Sequence, residues 1–259
     1  MPNLLAFDPA QYVGFILIFA RISGLMIVSP ILGDQNIPPQ IKVAFTFILS
    51  LIFFPVLAAP RLPANPDVLE IMLLMATEVG VGLLIGFAAR LLFTGVAMAG
   101  EVVGYQMGLG IANVFDPSSD TQISLIGQIQ TIFALLIFVV LDGHHLLIRA
   151  LMMSYQRIPP GGLALSRPLY EHFVRLGGNI FVVGLQIGAP LIVAMMAANF
   201  SIGLVARSVP QVNVIVVGFP FTIALGLLLL ALGFPFFIEA LVALFNQLDS
   251  VLVGGLNHG

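Results

Sequence analysis

Cysteine and tryptophan are both missing from this chain, and lysine occurs once, as Lys42. Without cysteine there is no disulfide framework and no thiolate metal site, and redox compartment leaves no trace in the residues. The arginines are scattered, so no polybasic patch for an anionic membrane surface exists. Charged residues make up only 8% of the 259, where soluble domains carry about 25%. A soluble globular fold is excluded on that ground. A net charge of −3 gives no reason to expect nucleic acid or an acidic substrate as partner. Met1 to Gln11 holds Asp8 and neither Lys nor Arg, so it lacks the positive start of a cleavable signal peptide. The first apolar run is therefore expected to stay in the mature protein. Enzyme signatures are missing as well: there is no His-Glu-x-x-His, no Gly-x-Ser-x-Gly and no phosphate-binding loop. No catalytic residue and no cofactor is expected.

What is present is hydrophobic. Apolar residues make up 59% of the chain, and a helix needs about 20 of them to cross a bilayer. Runs lie near 12–32, 41–59, 68–99, 129–153, 173–205 and 214–245, with no soluble stretch of useful size between them. The expected fold is all-α: an integral membrane protein of long, proline-broken helices and helical hairpins, with about six hydrophobic segments in a single domain, 1–259. The third run would measure roughly 48 Å at 1.5 Å per residue, against a hydrocarbon core of ~30 Å. It must tilt, break or stand partly outside the lipid. The fifth and sixth runs are overlong too, with Pro190 expected to kink one and Pro220 and Pro235 to break the other. With alternating crossings, Arg61, Arg157, Arg167 and Arg175 fall on one side and Lys42 and Arg207 on the other, which favours a cytoplasmic N-terminus. The absence of tryptophan, the usual interfacial belt residue, fits either compositional drift or an apolar surface that faces other subunits rather than lipid.

One segment, 100–128, interrupts the hydrophobic pattern. Gly100, Gly104 and Gly108 recur at the spacing that lets helix backbones approach, and Glu101, Asp116 and Asp120 appear with a Phe115-Asp116-Pro117-Ser118 turn. Gly110 and the Pro-Ser-Ser stretch should stop a helix. Irregular backbone at membrane depth is tolerated only where it is buried in protein or lines a water-filled cavity. Ionisable residues inside the runs are Arg21, Glu78, Arg90, Asp142, Arg149 and Glu239, and by default such groups mark interior pairs or aqueous pathways. Asp142, His144, His145 and Arg149 share two turns of one run. They read as a buried polar structural cluster joining helices, with a proton relay through Asp142 and the histidines as the alternative. Adjacent histidines on a helix point about 100° apart, so His144-His145 is not a zinc signature and no metal site is expected.

Taken in order, these residues resemble the FliR family of flagellar export-gate proteins, which has injectisome relatives of the SctT type. The match runs through Ala20-Arg21-x-x-Gly24-Leu25-Met26, Pro30, Gly33, Ile37-Pro38 and Lys42, then Glu78, then Gln106-Met107-Gly108 within Gly100 to Gly110. It continues through Phe115-Asp116-Pro117-Ser118, Leu141-Asp142-Gly143-His144-His145-Leu146-Leu147, Ser154 with Ile158-Pro159, Arg207-x-x-Pro210-Gln211-x-Asn213 and Gly218-Phe219-Pro220. The Asp-Gly-His-His and Phe-Asp-Pro elements carry the specificity.

The resemblance implies a subunit of the flagellar type III secretion export gate, part of a channel for unfolded flagellar substrates in the bacterial inner membrane, at the flagellar basal body. It implies FliP- and FliQ-type gate subunits and FlhB- and FlhA-type export components as partners, besides membrane lipid and translocated polypeptides, with no nucleic acid. It places Gln106, Met107, Gly108, Gly110, Phe115, Asp116 and Pro117 in a closed gate, with Met107 and Phe115 as apolar seals. It turns the Asp-Gly-His-His position into a structural junction and leaves Arg21, Glu78, Arg90 and Glu239 as intramembrane charges. An injectisome gate subunit of the same family is the near alternative. A small-solute transporter would call for repeated halves, and the Asp-Gly-His-His element has no counterpart in the first three runs.

Overall fold

Every regular element in the computed structural model is helical among the described residues, which are 9–34, 36–57, 67–111, 124–159, 167–208 and 214–255. In chain order they are α1 (Pro9–Val28), α2 (Pro39–Phe53), α3 (Val68–Gln106), a 3₁₀ turn (Leu109–Ile111), α4 (Leu125–Val140), α5 (Gly143–Arg157), α6 (Arg167–Ser208) and α7 (Val214–Gly255). Among the described residues, four helices are long and apolar enough to cross a membrane, and α4 with α5 makes a fifth when counted as one broken span. The chain is an all-α integral membrane protein.

The six expected runs do not become six equal spans. The second gives α2, whose 15 residues reach only about 22 Å, short of the ~30 Å core. It starts at Pro39, where a missing N–H costs nothing, after Pro38 held extended at ψ 137°. The fourth run is cut at Asp142, which sits in the left-handed region at φ 55°. The third, fifth and sixth runs are longer than expected, at 39, 42 and 42 residues. Pro190, Pro220 and Pro235 lie inside continuous helices rather than at breaks, because in a membrane helix neighbouring groups can satisfy the carbonyl a proline frees.

The residues fall into two compact units. One comprises Met1–Leu91, Asp142–Leu176 and Gln247–Gly259, the other Leu92–Leu141 and Gly177–Asn246. In the first unit, α1 and the start of α3 cross with their backbones nearly touching. A Cβ on Gly82 would strike the Arg21 carbonyl oxygen, and one on Gly24 the Val79 carbonyl oxygen, so each helix presents a glycine to the other. Phe15 of α1 meets Phe47 and Phe54 edge-on at centroid distances of 5.7 and 5.9 Å.

In the second unit, Phe93, Phe138 and Phe245 form a buried aromatic triad at 5.3–5.7 Å. Below it α3 lies against α4 through glycine again: a Cβ on Gly100 would come within 2.5 Å of the Gly127 Cα. Gly100 and Gly104 therefore continue α3 instead of interrupting it. Their lack of side chains admits α4.

Candidate functional site

The end of α3 in the second unit is built to hold whatever follows it. A helix leaves its last carbonyls without partners, and here four of them can be followed. The Val103 oxygen accepts from the Met107 N–H at 2.9 Å and the Tyr105 oxygen from the Gly108 N–H at 3.0 Å. The Gln106 oxygen accepts from Asn199 Nδ2 of α6 at 3.1 Å. The Met107 oxygen accepts from Thr222 Oγ1 of α7 at 3.0 Å. Two neighbouring helices thus cap the terminus with side chains.

Gly108 makes the turn at φ 86°, a conformation that a side chain strains. A Cβ there would also run into the Phe219 ring at 2.5 Å. Met107, fully buried, fills the space that Gly226 leaves open: a Cβ on Gly226 would fall 2.5–2.8 Å from the Met107 side-chain atoms. Val103, Ile126, Leu191 and Met195 complete that core.

The far flank of the segment returns to the same stretch of α3. Ser124 caps α4, accepting from the Gly127 N–H at 3.5 Å, and donates to the Gly100 carbonyl at 3.4 Å. A Cβ on Gly104 would collide with the Ser124 hydroxyl. The described residues on the two flanks, Gly108 and Ser124, thus both meet the last turns of α3.

Of the residues the sequence pointed to, Gln106, Met107, Gly108 and Gly110 converge at this terminus. Met107 faces the core of its own chain. Gln106 is half-buried, and its Oε1 has no hydrogen-bond partner among the described residues; such an orphan costs about 1–3 kcal/mol. Phe115, Asp116 and Pro117 lie outside the described residues. Asn199 and Thr222 were not foreseen. Their only signal was a lone polar side chain inside an apolar run.

In the first unit, Arg21 and Glu78 meet. Arg21 Nε donates to Glu78 Oε2 at 2.7 Å and Nη2 to Oε1 at 3.0 Å, with both side chains at most 1% exposed. Nη1 donates to Ser154 Oγ and Nη2 to the Ile158 carbonyl, each at 3.0 Å. The Tyr155 ring lies 4.0 Å from the guanidinium carbon. Three helices and the residue after the third are clamped by one arginine. Arg90 and Glu239 stand on exposed faces of α3 and α7.

The Asp142 cluster is assembled but not covered by its own chain. Asp142, His144 and His145 have side chains 72%, 45% and 66% exposed, and Arg149 is exposed further along α5.

Residues 12–248 match the family model described as bacterial export proteins, family 1. Over 236 residues the chain is 31% identical to flagellar biosynthetic protein FliR of Escherichia coli (strain K12), covering 90% of this chain and 88% of that protein. It is 34% identical over 219 residues to flagellar biosynthetic protein FliR of Bacillus subtilis (strain 168), covering 83% and 84%. The protein of the same name from Aquifex aeolicus (strain VF5) is 31% identical over 220 residues, covering 85% and 84%.

Proposed function

Since this chain belongs to the FliR family of bacterial export proteins, we propose that it is a component of the flagellar export apparatus in the bacterial inner membrane and that residues 106–122 help close a path for unfolded polypeptide. The supporting observation is the anchoring of that segment. Gly108 turns the chain under Phe219, Met107 is locked against Gly226, and Ser124 pins the return to Gly100. A segment that must yield to a passing chain and then reclose needs fixed roots.

The roles divide accordingly. Met107 acts as the anchor of the gate rather than as its seal. Gly108 and Gly110 shape the exit from α3, and Phe115, with Asp116 and Pro117 beside it, forms the apolar closure. An apolar constriction excludes ions by dewetting without a bond being made, so the role calls for no reaction.

FliP- and FliQ-type gate subunits and FlhB- and FlhA-type components are the proposed neighbours, and the chain acts as a single gate domain among them. Asp142, His144, His145 and Arg149 form a polar junction toward those neighbours. The named relatives are flagellar, which favours the flagellar over the injectisome reading.

Deleting the gene in its own bacterium is expected to abolish secretion of flagellar proteins and motility. The wild-type gene restores both, whereas Gly108→Val does not, although the variant is still found in the membrane. Flagella that persist without the gene would overturn the assignment.

A further inference from the structure

We propose that Asp142, His144 and His145 form a binding site for a borderline divalent metal ion of the Zn²⁺ class. Adjacent histidines on a regular helix diverge, but these two open the first turn of α5, and their rings lie 4.2 Å apart, tilted by 38°. Both turn toward one carboxylate. His145 Nδ1 is 3.3 Å and His144 Nε2 is 3.9 Å from the same Asp142 Oδ1, and the ligating atoms of the three residues all lie within 4.8 Å of one another. With bonds of about 2.1 Å, two ligands on one ion stand at most about 4.2 Å apart. Both carboxylate–histidine separations already meet that limit, and a small turn of the exposed His144 ring closes the widest edge.

The backbone arranges this. Asp142 is the one non-glycine residue with positive φ among the described residues, a conformation Asp tolerates better than most side chains. It starts the helix, accepting from the His145 N–H at 2.9 Å, and so places its carboxylate beside the first-turn side chains.

Two nitrogens and a single oxygen suit Zn²⁺, Co²⁺, Ni²⁺ or Cu²⁺ and not Mg²⁺ or Ca²⁺, which take mostly oxygen ligands. The helix N-terminus works against a cation with about half a positive charge, but the carboxylate supplies a whole negative one at bonding distance. Three protein ligands leave at least one coordination position open to water or to a group from outside the chain. Bound there, the ion ties the first turn of α5 together.

This inference stands independently of the export role, and metal binding itself is the readout. The full-length chain, freed of any affinity tag and purified with whatever partners it retains, is titrated with Zn²⁺ by calorimetry and with Co²⁺ by visible absorption. Asp142→Asn is the decisive variant, because Asn adopts the same left-handed backbone but removes the anionic ligand. One equivalent of ion per chain is expected for the wild type, with at least tenfold weaker binding in Asp142→Asn, loss of that equivalent in the double variant His144→Ala/His145→Ala, and no change in His172→Ala/His258→Ala. Circular dichroism checks that the variants keep their helix content. No binding by the wild type, binding unchanged in Asp142→Asn, or binding lost only with His172 and His258 would overturn the proposal and leave an Asp142–His145 hydrogen bond alone.

Discussion

Arg21 sits where no water can reach it, so its charge has to be met entirely by protein. Its Nε and Nη2 N–H groups are taken up by Glu78 and the Ile158 carbonyl, Nη1 donates to Ser154, and the Tyr155 face lies against the cation. Removing one partner of a buried pair strands the other, which costs about 3–5 kcal/mol, whereas replacing both with apolar residues of like volume is often neutral. Arg21→Ala and Glu78→Ala are each expected to lower the thermal unfolding midpoint of the full chain in detergent strongly, while the double variant Arg21→Met/Glu78→Leu recovers most of the loss. A double variant as unstable as the singles would show that the charges themselves, and not their desolvation, hold the helices. The sequence announced both residues as costly, because ionisable groups inside apolar runs are rare. It could not pair them, since they stand 57 positions apart and no local period links them. Ser154 and Ile158 stood out in the sequence too, but neither they nor Tyr155 could be assigned to Arg21, for the same reason.

At the scale of the helix, glycine decides which elements can touch. Gly24 and Gly82 let α1 and α3 cross at backbone distance, Gly100 and Gly127 do the same for α3 and α4, and Gly226 makes the hollow that Met107 fills. Filling that last hollow is the sharpest way to loosen the end of α3. Overpacking a core costs about 1–3 kcal/mol, and 1.4 kcal/mol corresponds to a factor of ten in an opening equilibrium. Gly226→Leu is therefore expected to raise hydrogen exchange at the Met107 and Gly108 amides about tenfold or more, while Met107→Leu, which keeps the volume, leaves them protected. Unchanged protection in Gly226→Leu would mean that the Thr222 and Asn199 hydrogen bonds hold the terminus without help from packing.

The periodic glycines were legible as packing signals, but the partner of each was not, because spacing reports a face and not what faces it. The run lengths were legible too. The break at Asp142 was not, because Leu141 and Leu146 flank it with the hydrophobicity of a single span, and only the backbone angle reveals the cut. Pro220 and Pro235 misled in the opposite direction, since rings that would end a soluble helix are carried inside α7.

The whole chain shows more apolar surface than a soluble protein could bear, and α2 is the plainest case. Ile41, Val43, Phe45, Phe47, Ile48, Leu51 and Ile52 are all exposed on a helix too short to span. Such a surface belongs against other proteins or lipid. In the proposed gate, the anchored end of α3 is what lets one segment close a path. In the proposed reading, this segment keeps the path shut. Its most direct test is the ion conductance of cells that assemble the export apparatus with residues 110–120 deleted from this chain, compared with wild type at equal amounts of assembled complex. The resting leak is expected to rise. A leak no greater than wild type, with assembly intact, would contradict it.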